Sequence, residues 1–247
     1  MSALPASYPS LTGPSKEGVF LCCLGNNENR ITFDYMEAFH RLLDRIEQHN
    51  GPTACVIYGE GKHFCNGLEM EQLAQDSKNL LRQFHTLLRR LLSFPAPLVA
   101  AINGHAFAGG AMLAWACDYR VMNATRGFLC LNEIQLGLPL TPGMCAVVQC
   151  KVNRSLWVST MLSGKRWTAR EAAAVKIVDK AAEGEAEVLE NATRLAVSLA
   201  STGENRFVYG FIKRQIYASE LTTLGEEQEN VIQPFLSGGA RQSSSKL

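Results

Sequence analysis

The sequence predicts an α/β fold with parallel strands in sheet layers and helices packed outside them. Short apolar runs alternate with amphipathic helical stretches between residues 19 and 131. The 247 residues, 47% of them hydrophobic, are enough to bury a sizeable core. No internal repeat, low-complexity linker or charge run marks a second independent domain. The expected organisation is an irregular arm over 1–18, an α/β core over 19–195, a helical region over 196–240 and a flexible polar tail over 241–247.

The arm carries three prolines and no periodicity. Val19 to Leu24 is an apolar run short enough for a buried strand. Thr32 can cap the helix that follows, whose apolar face is Tyr35, Phe39, Leu42, Leu43 and Ile46, and Asn50-Gly51-Pro52 stops it. Ala54 to Tyr58 is the next strand, and the glycine-rich stretch Gly59 to Gly67 reads as a loop. Leu80, Leu81, Phe84, Leu87, Leu88, Leu91 and Leu92 then recur at helical spacing up to Phe94-Pro95. Pro97 to Ile102 reads as a strand and Asn103-Gly104 as a turn, after which Gly109-Gly110 opens an Ala-rich helix from Ala111 to Cys117. Tyr119 to Met122 and Phe128 to Leu131 are further strands. Thr168-Ala169-Arg170-Glu171 has the form of a capping box for a helix from Glu171 to Lys176, and helices are expected over 185–200, 204–218 and 220–236.

A net charge of +1 provides no field that would gather nucleic acid or an anionic membrane, so any anionic ligand is met locally. No apolar run approaches the roughly 20 residues of a membrane span. The N-terminus lacks the pattern of a signal peptide. The eight cysteines show no metal-ligand spacing, so no metal site is expected, and they read as small core residues of a reducing compartment. Ser245-Lys246-Leu247, after a polar stretch, is a peroxisomal address read by a soluble import receptor.

Three segments could carry chemistry: Gly61 to Met70, Asn103 to Ala111 and Leu131 to Gly137. Each follows a predicted strand, where α/β architectures place ligands. Read alone, Gly109-Gly110 more often serves as a tight strand-to-helix turn, Glu133 as a surface carboxylate beginning a turn, and Met112 as core or pocket wall. Gly61-Lys62 lacks the spacing of a phosphate-binding loop, which argues against nucleotide hydrolysis. His63 and His105 lie in these segments, but no nucleophile pattern accompanies them.

Together the segments resemble the crotonase (enoyl-CoA hydratase/isomerase) superfamily. The layout extends from about Val19 to Asp179 and includes Leu162-Ser163-Gly164, Ala169 to Ala172 and Ile177-Val178-Asp179. The resemblance implies a superhelix of ββα turns with a C-terminal helical region that forms a homotrimer or a dimer of trimers. It implies an acyl-CoA thioester substrate, with coenzyme A as part of the substrate and no separate cofactor. The thioester oxygen would be held by the N–H groups of Leu68 and Gly109, and Lys62, Phe64, Asn66, Gly67, Gly110 and Met112 would contact substrate. Glycine permits close backbone approach and a helix N-terminus adds partial positive charge, both suited to an enolate.

Hydratases of this superfamily use two carboxylates. Here the first position holds Met112 and the second Glu133, so efficient hydration is not expected. One carboxylate suffices to move a proton from C2 to C4 of a 3-enoyl-CoA, and Leu131-Asn132-Glu133 resembles the corresponding segment of the monofunctional Δ3,Δ2-enoyl-CoA isomerases of fatty-acid β-oxidation. Glu133 is therefore the expected catalytic base, with Glu69 as the other candidate acid. The alternatives are another crotonase reaction, dienoyl-CoA isomerisation or weak hydration, and a non-catalytic acyl-CoA binding subunit.

Overall fold

The computed structural model describes residues 9–228 and 230–236. Ser245, Lys246 and Leu247 lie outside the described residues. The chain advances in turns of the same form: one strand of a large sheet, one short strand of a small sheet, then helix.

In the first turn, β1 (Ser10–Thr12) pairs antiparallel with β2 (Val19–Cys23), so part of the expected arm is an edge strand. The small-sheet strand of this turn is reduced to a single bridge between Ile31 and Leu68. Thr32 caps α1 (Phe33–Glu47) by accepting from the Tyr35 N–H. The second turn comprises β3 (Ala54–Tyr58), β4 (His63–Cys65), α2 (Met70–Gln75) and α3 (Ser77–Leu92). β4 lies inside the stretch expected to be a loop, because its partners are distant in sequence and its three residues carry no period of their own. The third turn is β5 (Leu98–Ile102), β6 (His105–Phe107) and α4 (Gly109–Ala116). The fourth is β7 (Tyr119–Asn123), β8 (Leu129–Cys130) and α5 (Glu133–Leu136).

The large sheet has the order β1-β2-β3-β5-β7-β9, parallel throughout except at β1, where β9 is Lys180–Ala182. Its strands are apolar on both faces, as sheets covered on both sides require. Cys55, Ile57, Leu98, Ala100 and Ile102 join the main core with α1 and α3. The alternate residues Ala54, Val56, Val99 and Ala101 pack against Val188, Ala192 and Ala196 of α8 (Glu185–Leu199). The small sheet, β4-β6-β8, is parallel and lies across the main core from the large one.

After α5 come α6 (Pro142–Gln149), capped by Thr141 with proline at its start, a 3-10 turn at Arg154–Leu156, a π-helical turn at Val158–Leu162 and α7 (Ala169–Ala174). The capping box of Thr168 and Glu171 is present. The helical end contains α9 (Arg206–Ile216), α10 (Ala218–Gly225) and α11 (Gln233–Leu236), so 220–236 is not the single helix expected. Phe207, Val208, Phe211, Ile212 and Ile216 of α9 are exposed. No helix among the described residues is long and apolar enough to cross a membrane. All eight cysteines are free thiols, five of them buried.

α4 is buried along its whole length, and its approach to β4 depends on Gly110. A Cβ at this position would stand 2.0 Å from the Cys65 carbonyl oxygen, which is backbone and cannot swing aside. Gly110→Ala is expected to destabilise the fold by about 3 kcal/mol, the upper range for overpacking. A lowered urea midpoint with unchanged denaturant slope checks this.

Candidate active site

β4, β6 and β8 are neighbours in one parallel sheet, with His63 level with His105 and Phe107 level with Cys130. The residues that leave these strands therefore gather at one sheet edge. Leu68, Ala108, Gly109, Asn132 and Glu133 line a single cavity of about 250 Å³ there. Apolar side chains make up most of the remaining wall, including Leu73, Met144 and Ile232.

Two residues of the wall, Leu68 and Gly109, are those whose backbone N–H groups were expected to hold an oxygen. At the bridge, the Ile31 N–H donates to the Gly67 carbonyl at 2.9 Å and the Glu69 N–H donates to the Ile31 carbonyl at 3.0 Å. In extended chain successive N–H groups point to opposite sides, so the Leu68 N–H turns away from Ile31 toward α4. Gly109 is the first residue of α4, where an amide has no carbonyl one turn back. The two segments touch: a Cβ at Gly67 (φ +81°) would lie 3.2 Å from the Gly109 nitrogen and 3.0 Å from the Ala108 Cβ. Glycine at 67 is thus required both by its left-handed backbone and by the close approach.

Ala108 holds φ +51° and ψ −124°, a conformation that alanine avoids at a cost of about 1–3 kcal/mol. Its N–H donates to the Cys130 carbonyl at 2.9 Å, and its carbonyl accepts from Ala111 and Met112. The surroundings fix both sides of the residue and so set the position of Gly109, which lines the cavity. Arg30 performs a similar service for Leu68. Its Nη1 donates to the carbonyls of Asn66 at 3.0 Å and Leu68 at 3.4 Å, while Nε meets Glu28 at 2.8 Å.

Glu133 is the first residue of α5 and is only 8% exposed. Its Oε2 and the neighbouring Asn132 Oδ1 are buried with no hydrogen-bond partner among the described residues. Burial pushes the carboxyl up to about 7, against a smaller lowering by the backbone N–H of Glu133 itself. Glu133 is the one carboxylate among the described residues that line the cavity.

The other sequence-predicted residues are distributed differently. Asn66 lines the cavity, but its amide is engaged with Glu28 at 3.0 Å. Gly67 shapes the turn without lining the space, and Gly110 packs on Cys65. Phe64 and Met112 are fully buried core residues, and Lys62 is exposed away from the cavity. Of the six residues expected to contact substrate, therefore, Asn66 alone is in the wall; the other five sit one layer behind it or outside it. Glu69 stands before α2, outside the lining. His63 and His105 stack on each other at 5.5 Å beside Phe107, outside the lining as well.

Arg30, Ala108, Asn132, Leu73, Met144 and Ile232 were not anticipated. Arg30 could have been found from its place one residue before the bridge in the first ββα turn, where the other turns carry their functional segments. Ile232 has no local signal, since it reaches the site from a segment about a hundred residues further along the chain.

Fold and site together define a superhelix of ββα turns in which Leu68, Gly109 and the buried Glu133 carboxylate line one cavity. The family model for enoyl-CoA hydratase/isomerase matches residues 15–237. The chain belongs to that family. It is similar to enoyl-CoA delta isomerase 3 of Arabidopsis thaliana, 33% identical over 81% of this chain and 88% of the relative. It is also similar to peroxisomal enoyl-CoA delta isomerase 2 of the same plant, 30% identical over 88% of this chain and 96% of the relative. Among solved structures, a Mycobacterium tuberculosis protein described both as an enoyl-CoA isomerase and as a probable enoyl-CoA hydratase superposes with a TM-score of 0.79, covering 96% of this chain and 99% of its own. At 24% identity that likeness establishes the shared fold.

The raised carboxyl has a thermodynamic consequence. The native state holds the Glu133 proton more tightly than the unfolded chain, so stability falls as pH rises from about 4.5 to about 7 and the full penalty applies above that range. At 1.36 kcal/mol per pH unit the penalty is about 3 kcal/mol. Glu133→Gln is expected to be more stable than wild type by about this amount near pH 8, with the difference vanishing below about pH 4.5. Urea titrations of both proteins across that range check the sign.

Proposed function

We propose that the protein isomerises 3-enoyl-CoA to trans-2-enoyl-CoA, with Glu133 as the base that carries the proton from C2 to C4. The observation that carries this reading is that Glu133, the one carboxylate among the described residues lining the cavity, is buried, has no partner for its Oε2 and is held near neutral pKa. A general base works best when its pKa lies near the operating pH.

In this reading the thioester oxygen accepts from the N–H groups of Leu68 and Gly109. Glu133 Oε2 removes a C2 proton, and the electron pair of the broken C–H bond delocalises through C1 onto that oxygen and through C3 to C4 as a dienolate. The same carboxylic acid returns the proton at C4, leaving the double bond between C2 and C3. Atoms and electrons balance within the substrate, so no cofactor is required beyond the coenzyme A that the substrate carries. Each backbone donor aimed at the developing charge contributes about 3 to 4 kcal/mol in comparable sites. Hydration would need a second acid or base to hold and split water, and the corresponding position is Met112, buried in α4.

The relatives named as enoyl-CoA delta isomerases support the isomerase reading over the hydratase one. The relative named as peroxisomal supports a peroxisomal location, for which Ser245-Lys246-Leu247 is the candidate address. The exposed apolar side chains of α9 support assembly into trimers through the helical region.

Glu133→Gln is expected to lower kcat for 3-hexenoyl-CoA by about two to four orders of magnitude with the fold intact. Hydration of 2-hexenoyl-CoA, followed in parallel, should stay negligible in both proteins. Unaffected isomerisation in the variant would put the base elsewhere, and acyl-CoA binding without turnover in wild type would favour a binding subunit.

A further inference from the structure

The cavity wall is unevenly exposed: Met70 and Leu136 are 39% and 54% exposed, whereas Leu73, Met144 and Ile232 are each no more than 3% exposed, so we take the first pair as its open mouth and the second group as its closed end. The charged nucleotide part of coenzyme A cannot be taken into a closed apolar end without losing its hydration, so it stays at the open mouth. The acyl tail then points at Leu73, Met144 and Ile232. A volume of about 250 Å³ falls below the roughly 300–1,000 Å³ of sites that enclose a whole ligand. It accommodates the reacting centre and a short tail.

The closed end is built from three separate elements and is fastened. Ile232 precedes α11, and its carbonyl accepts from the N–H groups of Phe235 and Leu236. Beside it, the Asn230 amide donates to Ser77 Oγ at 2.9 Å and the Gln233 N–H donates to Asn230 Oδ1 at 3.2 Å. Ser77, almost fully buried, also meets the Gln233 side chain and begins α3, directly after α2, which supplies Leu73. A second cavity of about 690 Å³ is lined by Thr141, Asn230, Leu81, His85 and Leu224. Thr141 is one helical turn from Met144, and Asn230 is two residues from Ile232. The two segments that close the active-site cavity thus send neighbouring side chains into this second space.

We infer that Ile232, backed by Met144, is the end stop that limits acyl-chain length, and that the chain is selective for short acyl tails. This inference rests on the proposed acyl-CoA function but is tested separately from it. In wild type, kcat/KM for 3-hexenoyl-CoA exceeds that for 3-dodecenoyl-CoA by about tenfold or more, the scale on which apolar pockets discriminate added methylenes. Ile232→Ala opens the end toward the neighbouring cavity and raises the dodecenoyl-to-hexenoyl ratio by about tenfold. Ile232→Val, a gentler truncation, moves the ratio the same way by less and keeps the test open should the alanine variant not fold. Binding of saturated hexanoyl-CoA and dodecanoyl-CoA to the same proteins, measured calorimetrically, provides a readout that does not need turnover. Discrimination in binding without isomerisation would uphold the end stop and sink the proposed reaction. Isomerisation with equal use of both chain lengths in wild type, or a ratio unmoved by Ile232→Ala and Ile232→Val, would overturn the end stop.

Discussion

Glu133 is buried, with no partner for its Oε2 among the described residues, and much of the fold around it follows from that constraint. A carboxylate brought out of water without a partner costs free energy, here about 3 kcal/mol at neutral pH. That is a large share of the roughly 5–15 kcal/mol by which a domain is stable. The continuous apolar core of α1, α3, α4 and the two sheets supplies the margin. In the proposed reaction, the same dryness that raises the carboxyl would strengthen the pull of the Leu68 and Gly109 N–H groups on a developing negative charge. In the proposed reaction, proton affinity and enolate stabilisation would thus be two effects of one apolar cavity.

The small sheet converts this chemistry into geometry. Its three strands contribute only eight residues, but their parallel register delivers Leu68, Gly109 and Glu133 to one edge. The precision comes from contacts with little room to relax. Gly110 lies against the Cys65 carbonyl, Gly67 against the start of α4, and Ala108 is held in a backbone conformation that its neighbours impose. Arg30 fastens the Leu68 peptide from the other side. A superhelix of this kind can alter its chemistry by changing single residues at the sheet edge while the turns remain.

The sequence reveals the large sheet well, because its strands are buried on both faces and read as uninterrupted apolar runs; β3 falls where Ala54 to Tyr58 was expected. β4 and β6 are hidden, since three-residue strands containing His63 and His105 acquire their identity from pairing across about forty residues. α6 begins Thr141-Pro142-Gly143, a cap followed by proline at the first position, and the pair Pro-Gly reads as a turn unless the cap is noticed. At the site, Leu68, Gly109 and Glu133 are legible because each sits at a local motif. The cavity wall is not. Leu73, Met144 and Ile232 come from three distant elements, and apolar residues carry no mark of which surface they will line. Phe64, Gly110 and Met112 lie in the same motifs and face inward, a distinction set by pleat and helix phase in the folded chain.

The pH dependence of kcat/KM for 3-hexenoyl-CoA tests the account most directly, since it reports the ionisation of the free enzyme. A single buried base predicts a rate that falls about tenfold per pH unit below an ionisation near 7 and stays level above it. An ionisation near the ordinary carboxylate value of about 4.5, or a bell-shaped profile that demands a second titrating group, would contradict it.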